Sequence, residues 1–146
     1  MATEFMTAWA IPGLKYRKAL DFKVLAAHKL PSCVQIVKNV VYGYFPAASP
    51  VYFSMHHDRD GGRVKGIPEE DVHARQLYCY LMKQIFAKLA LSAIGQTIHS
   101  KYHHTTVIHS IRAVLNWLDT GEITASKIDA LKIQIIQALK QLEDDY

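Results

Sequence analysis

Apolar side chains recur every three to four positions over much of this chain, and this spacing predicts helices. The clearest series lie in residues 77–89, 107–118 and 128–142. Each would give a helix one apolar face to bury against its neighbours. A short strand is predicted only at residues 51–53, in a loop-like segment rich in glycine and proline. We therefore predict an all-α fold with a loop-rich central insertion.

Proline, glycine and capping residues predict where the helices begin and end. Pro31 should close a first helix that covers residues 15–29, and Ser32 should then cap a second helix that reaches Tyr44. Pro68 begins a helix that should run to about Ala90. The remaining predicted helices cover residues 92–98 with Ser92 as the cap, 104–118 with Gly121 at the end, and 125–142.

The chain of 146 residues has room for one domain with a core. We assign residues 1–31 to an N-terminal extension and residues 32–146 to the domain. Cys33 and Cys79 have neither metal-type spacing nor a disulfide pattern, and the amino end lacks the features of a secretory signal. With no apolar run long enough for a membrane helix, a cytoplasmic location without membrane contact is the expectation.

Charge is unevenly distributed along the sequence. Residues 72–118 contain no Asp or Glu but five Lys or Arg and five His, whereas residues 119–146 contain three Lys against six acids. An acid-free surface of this kind attracts polyanions, because phosphate neutralisation releases counterions. Nucleic acid is therefore the first partner to consider.

The acid-free segment also contains a short helix, a turn and a longer helix, which is the pattern of a helix-turn-helix. The longer helix begins with His104, Thr105 and Thr106, whose small or planar polar groups can approach base edges in the major groove. His109 and Arg112 follow on its polar side and suit contacts with phosphate.

Three motifs in this region resemble the C-terminal DNA-binding domain, domain IV, of the bacterial replication initiator DnaA. They are Ala74-Arg75-Gln76, Leu91-Ser92-Ala93-Ile94-Gly95 and His103-His104-Thr105-Thr106-Val107-Ile108-His109-Ser110. They occur in the order and approximate spacing of that family. The resemblance extends over roughly residues 32–142 and is most specific between residues 74 and 111.

The resemblance implies a Trp-repressor-like helix-turn-helix bundle that binds double-stranded DNA at DnaA-box-like repeats or replication origins. Such a protein would act in DNA replication initiation or its regulation. The candidate DNA-binding residues in and beside the helix-turn-helix are Arg75, Gln76, Lys101, His103, His104, Thr105, Thr106, His109 and Arg112. The family's minor-groove arginine would correspond to Arg59, Arg63 or Lys65 in the preceding loop.

The sequence departs from the family pattern in two respects. His103 replaces the family's Asp, which both caps the recognition helix and accepts a hydrogen bond from cytosine, so sequence preference should differ. Gly61 and Gly66 have the interval of a phosphate-binding loop, but Ile67-Pro68 follows where Lys and a hydroxyl residue are required. We therefore expect no ATP binding, and action by occupancy of DNA.

Several alternatives remain open at this stage. The histidines at positions 99–109 could bind a metal, although no cysteine or carboxylate lies beside them in the sequence. The apolar stripe of residues 128–142 could form a homodimer seam instead of docking on the core. No nucleophile–base pair indicates an enzyme, and no cofactor is expected. A protein-interaction module that keeps the fold without the DNA site is the alternative function.

Overall fold

The computed structural model describes residues 22–53 and 68–144, and these residues form six helices. The helices are α1 (Phe22–Tyr44), α2 (Pro50–Phe53), α3 (Glu69–Ile85), α4 (Leu91–Gln96), α5 (His104–Thr120) and α6 (Ala125–Asp144). The described part of the chain contains no strand. The prediction of an all-α fold is thus confirmed.

Helix α3 lies at the centre of the bundle and contacts each of the other five helices. Every side chain from Leu77 to Met82 is buried, so this helix is covered on all sides rather than along one stripe. Helices α1 and α6 pack against each other and against α3, whereas α4 and α5 form a second pair against α3. The bundle thus holds the α4–α5 pair on one shared central helix.

The apolar stripe of α6 docks on this core. Ile128, Leu131 and Ile135 are at most 3% exposed, and Leu139 is fully buried. The prediction of a docked helix is confirmed. Ile133, on the outer side of the same helix, is 52% exposed. The homodimer through α6 stays a prediction.

Helix α1 continues through Pro31, so the predictions of a helix end at Pro31 and of a cap at Ser32 are wrong. Proline removes one backbone donor, which costs about 3 kcal/mol inside a helix. Three side chains that follow at helical spacing, Cys33, Val37 and Val41, are completely buried. Their burial offsets the lost hydrogen bond. The helix therefore crosses the boundary drawn between residues 31 and 32, and residues 1–21 lie outside the described residues.

The predicted strand at residues 51–53 is instead the short helix α2, and that prediction is also wrong. Two carboxylates at the start of α3 anchor the segment before α2. Asp71 accepts a hydrogen bond from the amide of Ser49 at 2.6 Å, and Glu70 accepts one from the amide of Ala47 at 3.1 Å. Phe53, 1% exposed, packs edge-on against the Tyr78 ring with 5.0 Å between ring centroids. Tertiary contacts therefore decide the conformation of this segment.

Helix α3 ends at Ile85, five residues before the predicted end. The Lys83 ammonium donates hydrogen bonds to the carbonyls of Ala87 and Leu89, at 2.9 and 3.1 Å, and so satisfies acceptors of the turn that follows. Helix α4 begins at Leu91 after Ala90, so the prediction of Ser92 as its cap is wrong. This lysine contact, which helical periodicity does not reveal, stabilises the turn that follows α3.

The ends of α5 and the start of α6 follow local signals. Helix α5 begins at His104 as predicted and ends two residues beyond the predicted Leu118. Gly121 adopts a φ of 82°, the left-handed conformation that a helix end commonly requires of glycine, and confirms its predicted role. The hydroxyl of Thr124 accepts the amide of Lys127 at 3.1 Å and caps α6. None of the described helices has the length and apolarity to cross a membrane.

Candidate nucleic-acid interface

Helices α4 and α5 are joined by a compact turn that packs directly on Gly95. The carbonyl of Gly95 accepts the amides of Ile98 and His99, at 2.9 and 3.1 Å. A Cβ atom on Gly95 would lie 2.9 Å from the carbonyl oxygen of Tyr102 and 3.3 Å from a methyl group of Val107. Gly95 therefore permits close packing at this point. Its missing side chain lets the turn cross α4 at contact distance.

The carboxyl end of α4 is also joined to α3 through a partly buried hydrogen bond. The Tyr78 hydroxyl on α3 lies 2.5 Å from the hydroxyl of Thr97, which in turn donates to the carbonyl of Ile94 at 2.6 Å. Burial raises the pKa of Tyr78, so this phenol keeps its proton under ordinary conditions. The short helix therefore has a rigid connection to the central helix.

The amino end of α5 faces solvent. His103, His104 and Thr105 are exposed, and Thr106 is half-buried. The Nδ1 atom of His103 lies 3.1 Å from the Thr105 hydroxyl, and the rings of His103 and His104 are 4.9 Å apart. Within the described residues, no side chain caps the first-turn amides of α5. Its amides and small polar side chains are thus turned outward, where an anion or a base edge can reach them.

Further cationic or ionisable side chains extend this surface. His109 and Arg112 are exposed one and two turns along α5, and Lys101 is exposed in the turn before it. The first carboxylate along α5 is that of Asp119, near the carboxyl end of the helix. The outer face of α5 therefore changes from basic to acidic along its length.

One side chain on this face is apolar. Leu115 is 46% exposed, although the spacing predicted that it would pack inward with Val107 and Val114. Ser110 takes an inward position instead and is 4% exposed. The buried line of α5 thus runs through Val107, Ser110 and Val114, so it keeps two residues of the predicted face and adds a serine. A serine in the core indicates a polar contact that the apolar pattern concealed.

The structure places Arg75 inside the protein, which contradicts its prediction as a direct DNA contact. Arg75 is 2% exposed, and its guanidinium carbon lies 5.6 Å from the centroid of the Tyr102 ring. A guanidinium in this position can interact with the ring electrons and cannot reach a phosphate from there. Its neighbour Gln76 is half-buried. The sequence could not distinguish these two residues from ordinary solvated residues near the start of a helix.

Tyr102 is the residue that sequence reasoning missed. It is 9% exposed and lies between α3 and α5. Burial raises its pKa to about 12, while Arg75 and a hydrogen bond with Ser110 act in the opposite direction. Burial likewise raises the pKa of Cys79 to about 12, against a hydrogen bond with Ser110 and the charge of Arg75. Arg75, Cys79, Tyr102 and Ser110 therefore form one buried polar cluster beneath the turn.

Two further sequence predictions concern the loop before α3 and the histidines. Arg59, Arg63 and Lys65, predicted for a minor-groove contact, lie outside the described residues. The histidines do not converge: within residues 22–53 and 68–144, no group of three or more His, Cys, Asp or Glu is placed to hold a metal ion. The Nδ1 atom of His99 accepts the amide of Lys101 at 3.0 Å.

Comparison with known proteins adds no assignment. No family model matches the sequence, and no significant match was found among curated proteins or solved structures.

Proposed function

We propose that this protein binds double-stranded DNA sequence-specifically through α4 and α5. The observation that carries the proposal is the solvent-facing amino end of α5, where His104 and Thr105 project from a segment without a carboxylate. The sites would be short repeats of the DnaA-box type, at replication origins or related loci. The protein would regulate replication initiation by occupying them, without hydrolysing ATP.

The chemistry of these side chains suits reading of the major groove. A threonine hydroxyl can bond to a base edge and its methyl group can contact thymine, while imidazole can donate to guanine or to phosphate. Thr105 and His104 would read bases. Lys101, His109 and Arg112 would contact the flanking phosphates and set the orientation of α5 on the duplex. We also propose that α5 packs against its supporting helices as in a Trp-repressor-like fold.

His103 gives the proposed interface its own specificity. An Asp at this position would accept a hydrogen bond from cytosine and cap the helix, whereas His103 instead contacts Thr105. The imidazole can donate a hydrogen bond to an acceptor on a base or to a phosphate. We therefore expect a preferred site that differs from the family's at the base pair which the Asp would read.

Selection from a random duplex library followed by sequencing tests the proposal. We expect enrichment of one motif about nine base pairs long, the scale of a DnaA-box repeat. Replacing Thr105 and Thr106 with alanine should reduce discrimination by about 1–3 kcal/mol for each base that the variant no longer reads. The matched control is Thr120→Ala, an exposed threonine at the other end of α5. Equal motif enrichment by both variants would show that α5 does not read the sequence.

The exposed Leu115 favours a second candidate function, a protein-interaction module. An exposed leucine on the same face as Arg112 suits a protein partner better than a phosphate backbone. Salt dependence separates the two functions. DNA binding through several phosphate contacts should weaken steeply with salt, while binding to an apolar partner should change little.

A further inference from the structure

We propose that Arg75 and Tyr102 form an internal positioning pair that sets where the amino end of α5 lies on DNA. This inference rests on the proposed DNA-binding function and assigns specificity to two residues that would not touch the DNA. Both belong to the buried polar cluster beneath the α4–α5 turn.

Arg75 projects from the second turn of α3, the helix that contacts every other described helix of the bundle. Its side chain is almost completely buried, so its position follows that of the core. Burying a guanidinium costs free energy unless its charge and its donors find partners. Arg75 therefore has a position fixed by the core, and the α4–α5 turn packs against it through Tyr102.

Tyr102 immediately precedes the proposed DNA-binding residues at the start of α5, His103 and His104. Its ring is contacted by the guanidinium of Arg75, and its carbonyl oxygen lies against Gly95 of α4. The next residue, His103, has the extended conformation that begins α5, and its carbonyl accepts the amide of Thr106 at 3.0 Å. A shift of Tyr102 would therefore carry His103, His104 and Thr105 with it.

Ser110 lies almost two turns into α5, is buried, and interacts with Tyr102 and with Cys79 of α3 in the same polar cluster. The cluster therefore holds α5 at two points, before its first residue and at Ser110. Two attachment points define both the depth and the rotation of a helix about its axis. Rotation of α5 decides which side chains face a groove.

Base reading is more sensitive to this placement than phosphate contact is. A displacement of about 1 Å takes a short side chain such as that of Thr105 out of hydrogen-bond range of a base edge, while long Lys and Arg side chains can follow a phosphate. Disruption of the pair should therefore reduce discrimination between duplexes more than affinity for duplexes in general. A buried Arg75 that contacts no phosphate also adds nothing to the salt dependence of binding.

Arg75→Met and Arg112→Met make a matched test on the selected duplex and on a scrambled one. For Arg75→Met we expect at least a tenfold loss in the affinity ratio of the two duplexes, with an unchanged slope of log affinity against log salt. For Arg112→Met we expect the converse: an unchanged ratio and a slope smaller by about 0.9, one phosphate contact. A slope reduced equally by Arg75→Met would overturn the proposal, because Arg75 would then be a phosphate contact.

A measurement without DNA keeps the inference separate from the proposed function. Tyr102→Phe retains the ring and removes the hydroxyl that interacts with Arg75 and Ser110, so it weakens the pair and is the variant expected to fold if Arg75→Met does not. We expect amide hydrogen exchange at Thr106 and Val107 to accelerate at least tenfold, while the amides of the buried part of α6 keep their rates. Unchanged exchange at both amides, or an equal rise throughout the bundle, would refute the positioning role. Failure of the wild-type protein to bind any duplex would refute DNA binding alone.

Discussion

Replacing Gly95 with alanine tests the close approach that shapes the proposed interface. The added Cβ would lie 2.9 Å from the backbone oxygen of Tyr102, and 3.3 Å from both its ring and a methyl group of Val107. Alanine favours a helix over glycine by up to about 1 kcal/mol. Overpacking costs about 1–3 kcal/mol where neighbours must move. Because the nearest neighbour is a backbone atom, relief requires displacement of the turn, and the cost should exceed the gain.

We expect Gly95→Ala to lower the free energy of unfolding by up to about 2 kcal/mol, the excess of the packing cost over the helix gain. For a domain of this size, the Tm should fall by roughly 4 °C for each kcal/mol. Urea unfolding followed by circular dichroism measures the first quantity and thermal unfolding the second. A displaced turn should also shift His103 and its neighbours, so the affinity for the selected duplex should fall more than the affinity for the scrambled duplex.

Gly43→Ala is the matched control, since it makes the same change at a helical position with open space. Beyond the backbone of its own helix and its chain neighbours, no heavy atom lies within 4 Å of a Cβ at Gly43, which lies one residue before the end of α1. We expect its unfolding free energy to stay the same or to rise by up to about 1 kcal/mol. Equal stabilisation by both substitutions would show that the turn does not press on Gly95, and the packing argument would be wrong.

Two further predictions concern buried ionisable groups. Asp71→Ala should lower the free energy of unfolding in urea by about 1–3 kcal/mol, because the Asp71 carboxylate is 1% exposed and accepts the amide of Ser49. Glu70→Ala should lower it by less than about 1 kcal/mol, because the contact of Glu70 with the amide of Ala47 is exposed. Equal losses would contradict the idea that burial makes the Asp71 contact stronger. Burial raises the pKa of Cys79 from 9.0 to about 12, so the neutral thiol contributes stability that is complete below pH 9 and is lost as pH rises towards about 12. The free energy of unfolding of the wild type, measured by urea titration, should therefore fall between about pH 9 and 11, by up to about 1.4 kcal/mol per pH unit for this group, and that of Cys79→Ala should fall less steeply; parallel pH profiles would contradict the assignment.

Local chemical signals predicted the features of this protein that depend on a few neighbouring residues. The start of α5 at His104, the left-handed Gly121 and the docked stripe of α6 all follow from periodicity and from backbone preferences. The uneven distribution of charge is likewise a property of the sequence, and it alone indicated a polyanion as partner. These features are the same in the folded protein because no contact with a residue far away in the sequence opposes them.

Tertiary contacts decided the rest, because burial depends on residues far apart in the chain. Helix α1 continues through Pro31 because the side chains that follow it pack into the core. In the sequence Arg75 resembles an ordinary solvated residue near the start of a helix, but in the fold Tyr102, from a turn nearly thirty positions later, packs against it. Ser110 lies inward for the same reason, since its hydroxyl finds polar partners on α3 and in the turn. Periodicity reports which face of a helix is apolar, but only the assembled bundle determines which polar groups are buried with it.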